Sequence, residues 1–322
     1  MLDIDIASPK VQLSYKDKIL LVGSCFTEEI GVRLKEVKFN SLQNPNGILY
    51  DPFSICRAIS SWIGNISSDD QQLVFLDELW HSWQHHSVYS GIDKETVIKN
   101  IQTSTANAHH YLKQANWLLI TLGSSIHYSL AEGNLEVANC HKAPSSFFEK
   151  KSIAVDEIAS ALRDSLKELS VFNPSLQVIL TVSPVRHTRD GLVENTRSKA
   201  RLVEAIGIIS NEFSNTFYFP AFELVMDVLR DYRFYETDLV HPNAQAADFV
   251  FEKFIKTFIN PANRAILEEI KTLVTARKHR PFHPSTEAHQ KFRKSQLLKA
   301  NTLQALYPYL DLKEEITFFT DN

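Results

Sequence analysis

Cysteine is scarce: Cys25, Cys56 and Cys140 are the only three in 322 residues. They are too few and too scattered for a disulfide framework, and they lack the paired spacing of a zinc site. No apolar run approaches the roughly 20 residues needed to cross a bilayer, which argues against membrane insertion. The first residues, MLDIDIASPK, contain no basic segment followed by an apolar stretch. A cytoplasmic location without a secretory signal is therefore the expectation. A net charge of −4 gives no large excess of either sign, so nothing overall points to a polyanionic partner. Internal repeats and low-complexity segments are absent. What remains is an ordinary globular composition, 44% hydrophobic and 22% charged, long enough for a large core.

Short apolar runs alternate with amphipathic stretches along most of the chain. The runs 18–22, 117–122, 177–183 and 217–219 read as core strands. Helices are predicted over 27–37, 52–63, 94–114, 155–169 and 196–213. Strand–helix alternation at this spacing predicts a parallel sheet with helices on both faces, with ligands bound beyond the carboxyl ends of the strands. Ser24-Cys25, Gly123-Ser124-Ser125 and Pro184-Val185-Arg186-His187 all fall at such ends. Two inserts interrupt the pattern. Residues 73–90 read as short strands carrying Trp80, His81, Trp83, His85 and His86, and residues 126–139 read as a hairpin turning at Gly133-Asn134. His81 and His85 would share a face on a helix, but the surrounding Trp and Val favour a strand, and no metal is expected. After Asn260 the character changes. Between Lys271 and Lys299 eight Lys or Arg stand against the single acid Glu287. The plainer reading is a helical extension with a solvated basic face, the sharper one a surface for an anionic ligand. No recognised nucleic-acid motif accompanies it, so nucleic acid is not an expected partner. The organisation predicted is one α/β domain over 1–260 and a basic, mostly helical extension over 261–322.

Two stretches carry chemistry. In ILLVGSCFTEEIG, Ile19 to Gly31, an apolar run breaks at Gly23 and two small nucleophilic side chains follow. Thr27-Glu28-Glu29 then suits a helix start, with Thr27 as a cap and the acids at the positive end of the dipole. That corner would present a side chain beside unpaired amides, which favour developing negative charge. Far downstream, in YETDLVHPN, Asp238 and His241 stand three residues apart ahead of an amphipathic helix. On a turn, the carboxylate can reach one imidazole nitrogen and leave the other free to take a proton.

Taken in order, VGSCFTEEIG, NPNGILYDP, LGSSIHY, NCHKAP, SPVRH and DLVHPN resemble the GSCFA family, a branch of the SGNH (GDSL-like) hydrolases. The resemblance runs from about Lys18 to Phe254, and the tail is similar to that family's extension. It implies a flavodoxin-like three-layer α/β/α fold with a mostly parallel sheet. It also implies an esterase or O-acyltransferase acting on acyl esters, acetyl esters of carbohydrates above all, with no cofactor. The ungapped match puts Cys25 on the nucleophile position, and a one-residue shift puts Ser24 there. A thiol at a helix N-terminus is the better nucleophile, whereas the superfamily's serine chemistry ranks Ser24 slightly ahead. The match implies an oxyanion hole from Gly47 and Asn46, with Ser125 standing where asparagine is usual. Asp238 and His241 match without adjustment, and Arg186 and His187 are candidates for holding substrate. A catalytically weak, glycan-binding or scaffolding relative is the alternative, favoured by Ser125. The expected partner is a small-molecule or glycan ester, and the oligomeric state is open.

Overall fold

The structure, a computed structural model, describes residues 2–67 and 73–320. Five parallel strands form the central sheet: β1 (Lys18–Gly23), β2 (Asn40–Gln43), β5 (Trp117–Leu122), β9 (Gln177–Val182) and β10 (Thr216–Phe219). Their order is β10-β9-β5-β1-β2. Counting only these strands, that is the 2-1-3-4-5 order of the flavodoxin-like sheet, whose switch point lies between the first and third strands. Here those strands are β1 and β5, paired in register from Ile19 opposite Trp117 to Gly23 opposite Thr121. The strand β2 had no counterpart among the expected ones. Its sequence, NSLQ, is polar and only half-buried because it sits at the sheet edge, so no apolar run marks it.

The apolar runs are continuous because both faces of the sheet are covered. Ile19, Leu21, Trp117, Leu119, Ile179 and Phe219 point into one core. They meet α1 (Cys25–Glu36), α7 (Ala244–Phe258) and α8 (Arg264–Lys278) there. Leu20, Val22, Leu118, Ile120, Val178, Leu180 and Val182 alternate with them into the other core. That side holds α2 (Pro52–Gly64), α3 (Lys94–Gln114), α4 (Val155–Phe172) and α5 (Leu192–Glu212). A short helical segment, α6 (Ala221–Glu223), widens into a π-turn through Leu229.

Both inserts form antiparallel sheets. In the first, β3 (Leu73–Leu76) pairs with β4 (Leu79–Ser82), so His81 lies on a strand. Its ring nitrogens contact Ser90 Oγ and the Leu76 carbonyl. In the second, β6 (Ile126–Leu130) pairs with β7 (Glu136–Val137) and, on its other side, with β8 (Phe148–Ser152). No helix among the described residues is long and apolar enough to cross a membrane.

The C-terminal helices α8, α9 (Glu287–Leu306) and α10 (Lys313–Thr320) bury Leu267, Ile270, Leu273, Leu303 and Phe319 in the first core. Five of their basic residues pair with acids: Lys271 with Glu268, Arg277 with Glu314, Lys278 with Glu36, Lys291 with Glu287 and Lys299 with Glu269. Glu315 is completely buried and lies 2.8 Å from Lys38 Nζ and 3.4 Å from Arg277 Nε. It clamps the last helix to the turn between α1 and β2. Glu315→Ala removes the buried carboxylate while Glu314 still faces Lys38 at 3.3 Å and Arg277 at 2.7 Å. It should therefore destabilise the chain by about 1.5–3 kcal/mol, the range for hydrogen bonds to charged groups, seen as a lower urea midpoint by tryptophan fluorescence. An unchanged midpoint would show that the clamp contributes nothing.

Candidate active site

The site grows from the corner at the end of β1. Gly23 has φ +141°, and a Cβ there would lie 2.2 Å from the Thr121 carbonyl oxygen of β5. Only glycine lets the two strand ends approach so closely. The next residue, Ser24, donates its N–H to that same carbonyl at 3.2 Å and accepts from the Thr27 N–H at 2.8 Å. Its side chain is thereby turned inward. Ser24 is 1% exposed, its hydroxyl has no hydrogen-bond partner among the described residues, and it packs against Gly123. Cys25 opens α1 and emerges on the other side of the corner, into a cavity of about 840 Å³. Of the two adjacent residues, Cys25 lines the cavity and Ser24 does not. Thr27 does not cap either: it lies inside the first turn, buried, with no hydroxyl partner among the described residues, and the helix begins two residues earlier than expected.

His241 lies on the wall of the same cavity. Asp238 builds the turn that carries it. One carboxylate oxygen accepts the N–H groups of Val240 at 2.8 Å and His241 at 3.0 Å, and the other meets His241 Nδ1 at 2.7 Å. Closing this loop puts Leu239 at φ +57°, a left-handed conformation that a side-chain-bearing residue adopts at a cost. The hydrogen bonds from the His241 backbone and ring, then from Val240, hold the Asp238 carboxyl down at about 2. With that carboxylate ionised, the short contact places the ring proton on Nδ1 and leaves Nε2 as an acceptor. Asn243 caps α7 just beyond, accepting from Ala246 N–H.

Electrostatics at Cys25 oppose one another. Burial pushes the thiol up, while Lys199 and the N–H groups of Phe26 and Cys25 itself pull it down. Lys199 is 1% exposed, and its Nζ donates to the carbonyls of Gly123 at 2.6 Å and Ser183 at 2.7 Å. Its presence escaped sequence reasoning. The signal was there: Asn195, Ser198, Lys199 and Leu202 follow the i, i+3, i+4, i+7 stripe of a buried helix face, so the stripe opens with three polar residues. Tyr50 also lines the cavity, edge-on to the His187 ring at 5.3 Å.

Arg186 and His187 both line the cavity, as do Lys142, Lys150 and Arg189. Arg186 lies over the Tyr235 ring at 5.6 Å and its Nη2 contacts Met226 Sδ at 3.5 Å. The three residues expected in an oxyanion hole do not form the cavity wall. Gly47 spends its N–H on the Asn44 carbonyl at 2.7 Å within a tight turn, and His86 Cβ fills the space where its own Cβ would be. Asn46 is buried and accepts from Trp62 Nε1 at 2.8 Å. Ser125 is fully buried, its N–H and hydroxyl both directed to Ser198 Oγ at 2.7 and 3.1 Å. Its neighbour Ser124 faces the cavity instead. No grouping of three or more potential metal ligands occurs among the described residues.

The chain matches the GSCFA family over residues 18–254 and the C-terminal domain of GSCFA domain proteins over residues 270–322. No curated protein matches it. Among solved structures it is similar to a carbohydrate esterase family 3 protein from Talaromyces cellulolyticus, at 9% identity and a TM-score of 0.38, covering 80% of this chain and 99% of that one. It is also similar to an acetyl xylan esterase from the rumen bacterium Butyrivibrio proteoclasticus, at 12% identity and a TM-score of 0.40, covering 80% and 66%.

Burial holds the rings of His85, His141 and His187 down at about 4. Once unfolded, each would bind a proton near its ordinary value of about 6.5. The unfolded state therefore takes up more protons between those limits, and stability falls as pH drops from about 6.5 towards 4. Urea midpoints measured from pH 7 to 4.5 should decline accordingly. In 1H–15N spectra, His187 should keep neutral-imidazole shifts at pH 5.5. A His187 ring already protonated at that pH would contradict its burial.

Proposed function

Because the chain belongs to the GSCFA family, and because Cys25 and His241 open into one cavity, we propose that it is a carboxylic ester hydrolase or O-acyltransferase with a Cys25–His241–Asp238 triad. The shared cavity at the carboxyl edge of the sheet is the observation that carries this reading. Cys25 is the side chain of the corner that reaches the cavity, and His241 is the base on its wall, already oriented by Asp238.

In the reaction proposed, His241 Nε2 takes the thiol proton as Cys25 Sγ bonds to the acyl carbonyl carbon. Asp238 stabilises the imidazolium formed. The first-turn amides of α1 at Cys25 and Phe26 are the donors for the oxyanion, in place of Gly47, Asn46 and Ser125, and Tyr50 lines the same cavity. Collapse of the tetrahedral species breaks the bond to the alkoxy oxygen, which leaves with the proton from His241. An acyl thioester remains on Cys25. Water or an acceptor hydroxyl then gives its proton to His241 and bonds to the acyl carbon. The thiolate departs and recovers the proton. Which acceptor enters decides between hydrolysis and transfer.

A cavity of about 840 Å³ is within the usual size for a small-molecule site. Tyr50, Tyr128 and Phe148 offer ring surfaces, and Lys142, Arg186 and Arg189 offer donors. That mixture suits a carbohydrate ester, and acetyl is the acyl group that the family resemblance implies.

Turnover of p-nitrophenyl acetate, and acetyl transfer to sugar acceptors, test the activity. Cys25→Ala should lower kcat/KM by about 10³-fold or more, whereas Ser24→Ala should stay within about tenfold of the parent. Intact-mass spectrometry should find a +42 Da adduct, about one acetyl group, trapped on Cys25. Activity that survives Cys25→Ala and vanishes in Ser24→Ala would restore serine as nucleophile. A folded Asp238→Asn variant should lose about 10²- to 10⁴-fold, since the amide no longer fixes the ring tautomer. Near-normal turnover in that variant would remove the triad.

A further inference from the structure

The stretch NCHKAP, from Asn139 to Pro144, takes no part in the acyl chemistry, yet its backbone is strained. Cys140 to Ala143 close a tight turn, with the Ala143 N–H on the Cys140 carbonyl at 2.8 Å. Both central residues are left-handed, His141 at φ +47° and Lys142 at φ +60°. Such a turn usually takes Asn or Gly there, and larger residues adopt it at a cost. His141 holds the turn in place. Its Nε2–H donates to the Ser82 carbonyl at 2.7 Å, and its Nδ1 accepts from the Ser87 hydroxyl at 3.0 Å. The buried ring fastens the turn to the first insert, and Lys142 is left exposed on the cavity wall.

The charges along that wall do not balance. It carries two acids, Asp51 and Asp190, against Lys142, Lys150, Arg186 and Arg189. Asp190 is paired with Lys150. Asp51 caps α2, accepting from the Ser54 N–H at 3.1 Å, and meets His127 Nδ1 at 2.9 Å. No carboxylate among the described residues pairs with Lys142, Arg186 or Arg189. The half-buried Arg186 rests on Met226 Sδ and the Tyr235 ring. Neither is an anion, so most of its five N–H donors stay unused. His141 and His187 add no charge near pH 7, because burial holds both at about 4. Three cations therefore face one cavity without a counter-charge. Covering them with a neutral sugar would cost hydration that an oxyanion offsets.

The position of Arg186 says which part of the substrate carries the charge. Its backbone N–H donates to the Val240 carbonyl at 3.3 Å, one residue before His241. In the reaction above, His241 gives its proton to the departing alkoxy oxygen, so this side of the cavity receives the alcohol. We propose that the substrate is an ester of an acidic sugar, whose carboxylate or phosphate is bound by Lys142, Arg186 and Arg189 as specificity-determining residues. The arginine forks match the paired oxygens of either group. The inference rests on the esterase reading and narrows its carbohydrate esters to anionic ones.

Matched substrates isolate the charge. An O-acetylated methyl glucuronide is compared with its methyl ester, and an O-acetylated glucose 6-phosphate with the same acetylated glucose. For at least one pair, kcat/KM should be about tenfold or more higher for the acid, through a lower KM. The preference should shrink in about 0.5 M NaCl, and the pair that shows it identifies the oxyanion. In a Lys142→Asn, Arg186→Gln, Arg189→Gln variant the two members should approach parity. Asparagine tolerates the left-handed backbone, so the turn is kept. Parity in the parent protein, with p-nitrophenyl acetate still turned over, would overturn this proposal and leave the esterase reading standing. Binding is measured separately from turnover, by titrating the full chain in 1H–15N spectra. Methyl glucuronide or glucose 6-phosphate should shift the Arg186 and Arg189 Nε–H signals at about tenfold lower concentration than methyl glucoside. Equal responses would overturn the proposal even if no ester were hydrolysed.

Discussion

The site depends on one contact: the end of β1 lies so close to the Thr121 carbonyl of β5 that no side chain fits at Gly23. That closeness decides the direction of everything after it. The chain must turn sharply, Ser24 donates to the same carbonyl, and its hydroxyl is driven into the protein. Cys25 then emerges at the first position of α1, where amides lack intrahelical partners. Handing the open position to the thiol is a steric consequence of strand packing.

A second constraint is electrostatic. The carboxyl edge of a parallel sheet ends in carbonyl oxygens, and burying them requires donors. Here Lys199 donates to the carbonyls of Gly123 and Ser183, while the N–H groups of Gly123 and Ser124 donate to the Tyr50 carbonyl. The edge is therefore rich in fixed dipoles, with the buried Lys199 amine among its donors, before any ligand arrives. Opposite it, Asp238 uses both carboxylate oxygens to build a turn and aim a ring. Its orientation of His241 is inseparable from the local backbone, since the same group sets the turn and the tautomer.

The peripheral parts serve the frame in different ways. The second insert brings Tyr128, Phe148 and Lys150 to the cavity wall, and the first insert packs against the turn at Asn46 and Gly47. The basic C-terminal segment is bound into the first core by apolar residues, with Glu315 between Lys38 and Arg277. Five of its cations pair with acids, which describes a neutralised, packed extension better than a free basic face.

Much of this architecture was legible in the chain itself. Four of the five central strands are apolar runs because sheet burial on both faces demands them, and the amphipathic helices follow the period of their buried stripes. Asp238 and His241 were legible because they are three residues apart, so a single turn suffices to join them. The polar edge strand β2 was not, since an edge position needs no apolar run. Nor was the choice between Ser24 and Cys25, because adjacent residues at a corner part according to which strand lies against them, and β5 is about a hundred residues away. Asn46, Gly47 and Ser125 carry suitable chemical groups, yet Asn44, Trp62 and Ser198 engage them in the folded chain. Lys199 was hidden for the same reason. Local patterns determine helices, strands and short turns, because those depend on near neighbours. Which polar group faces the cavity, and which is consumed by packing, is decided by contacts between segments far apart in sequence.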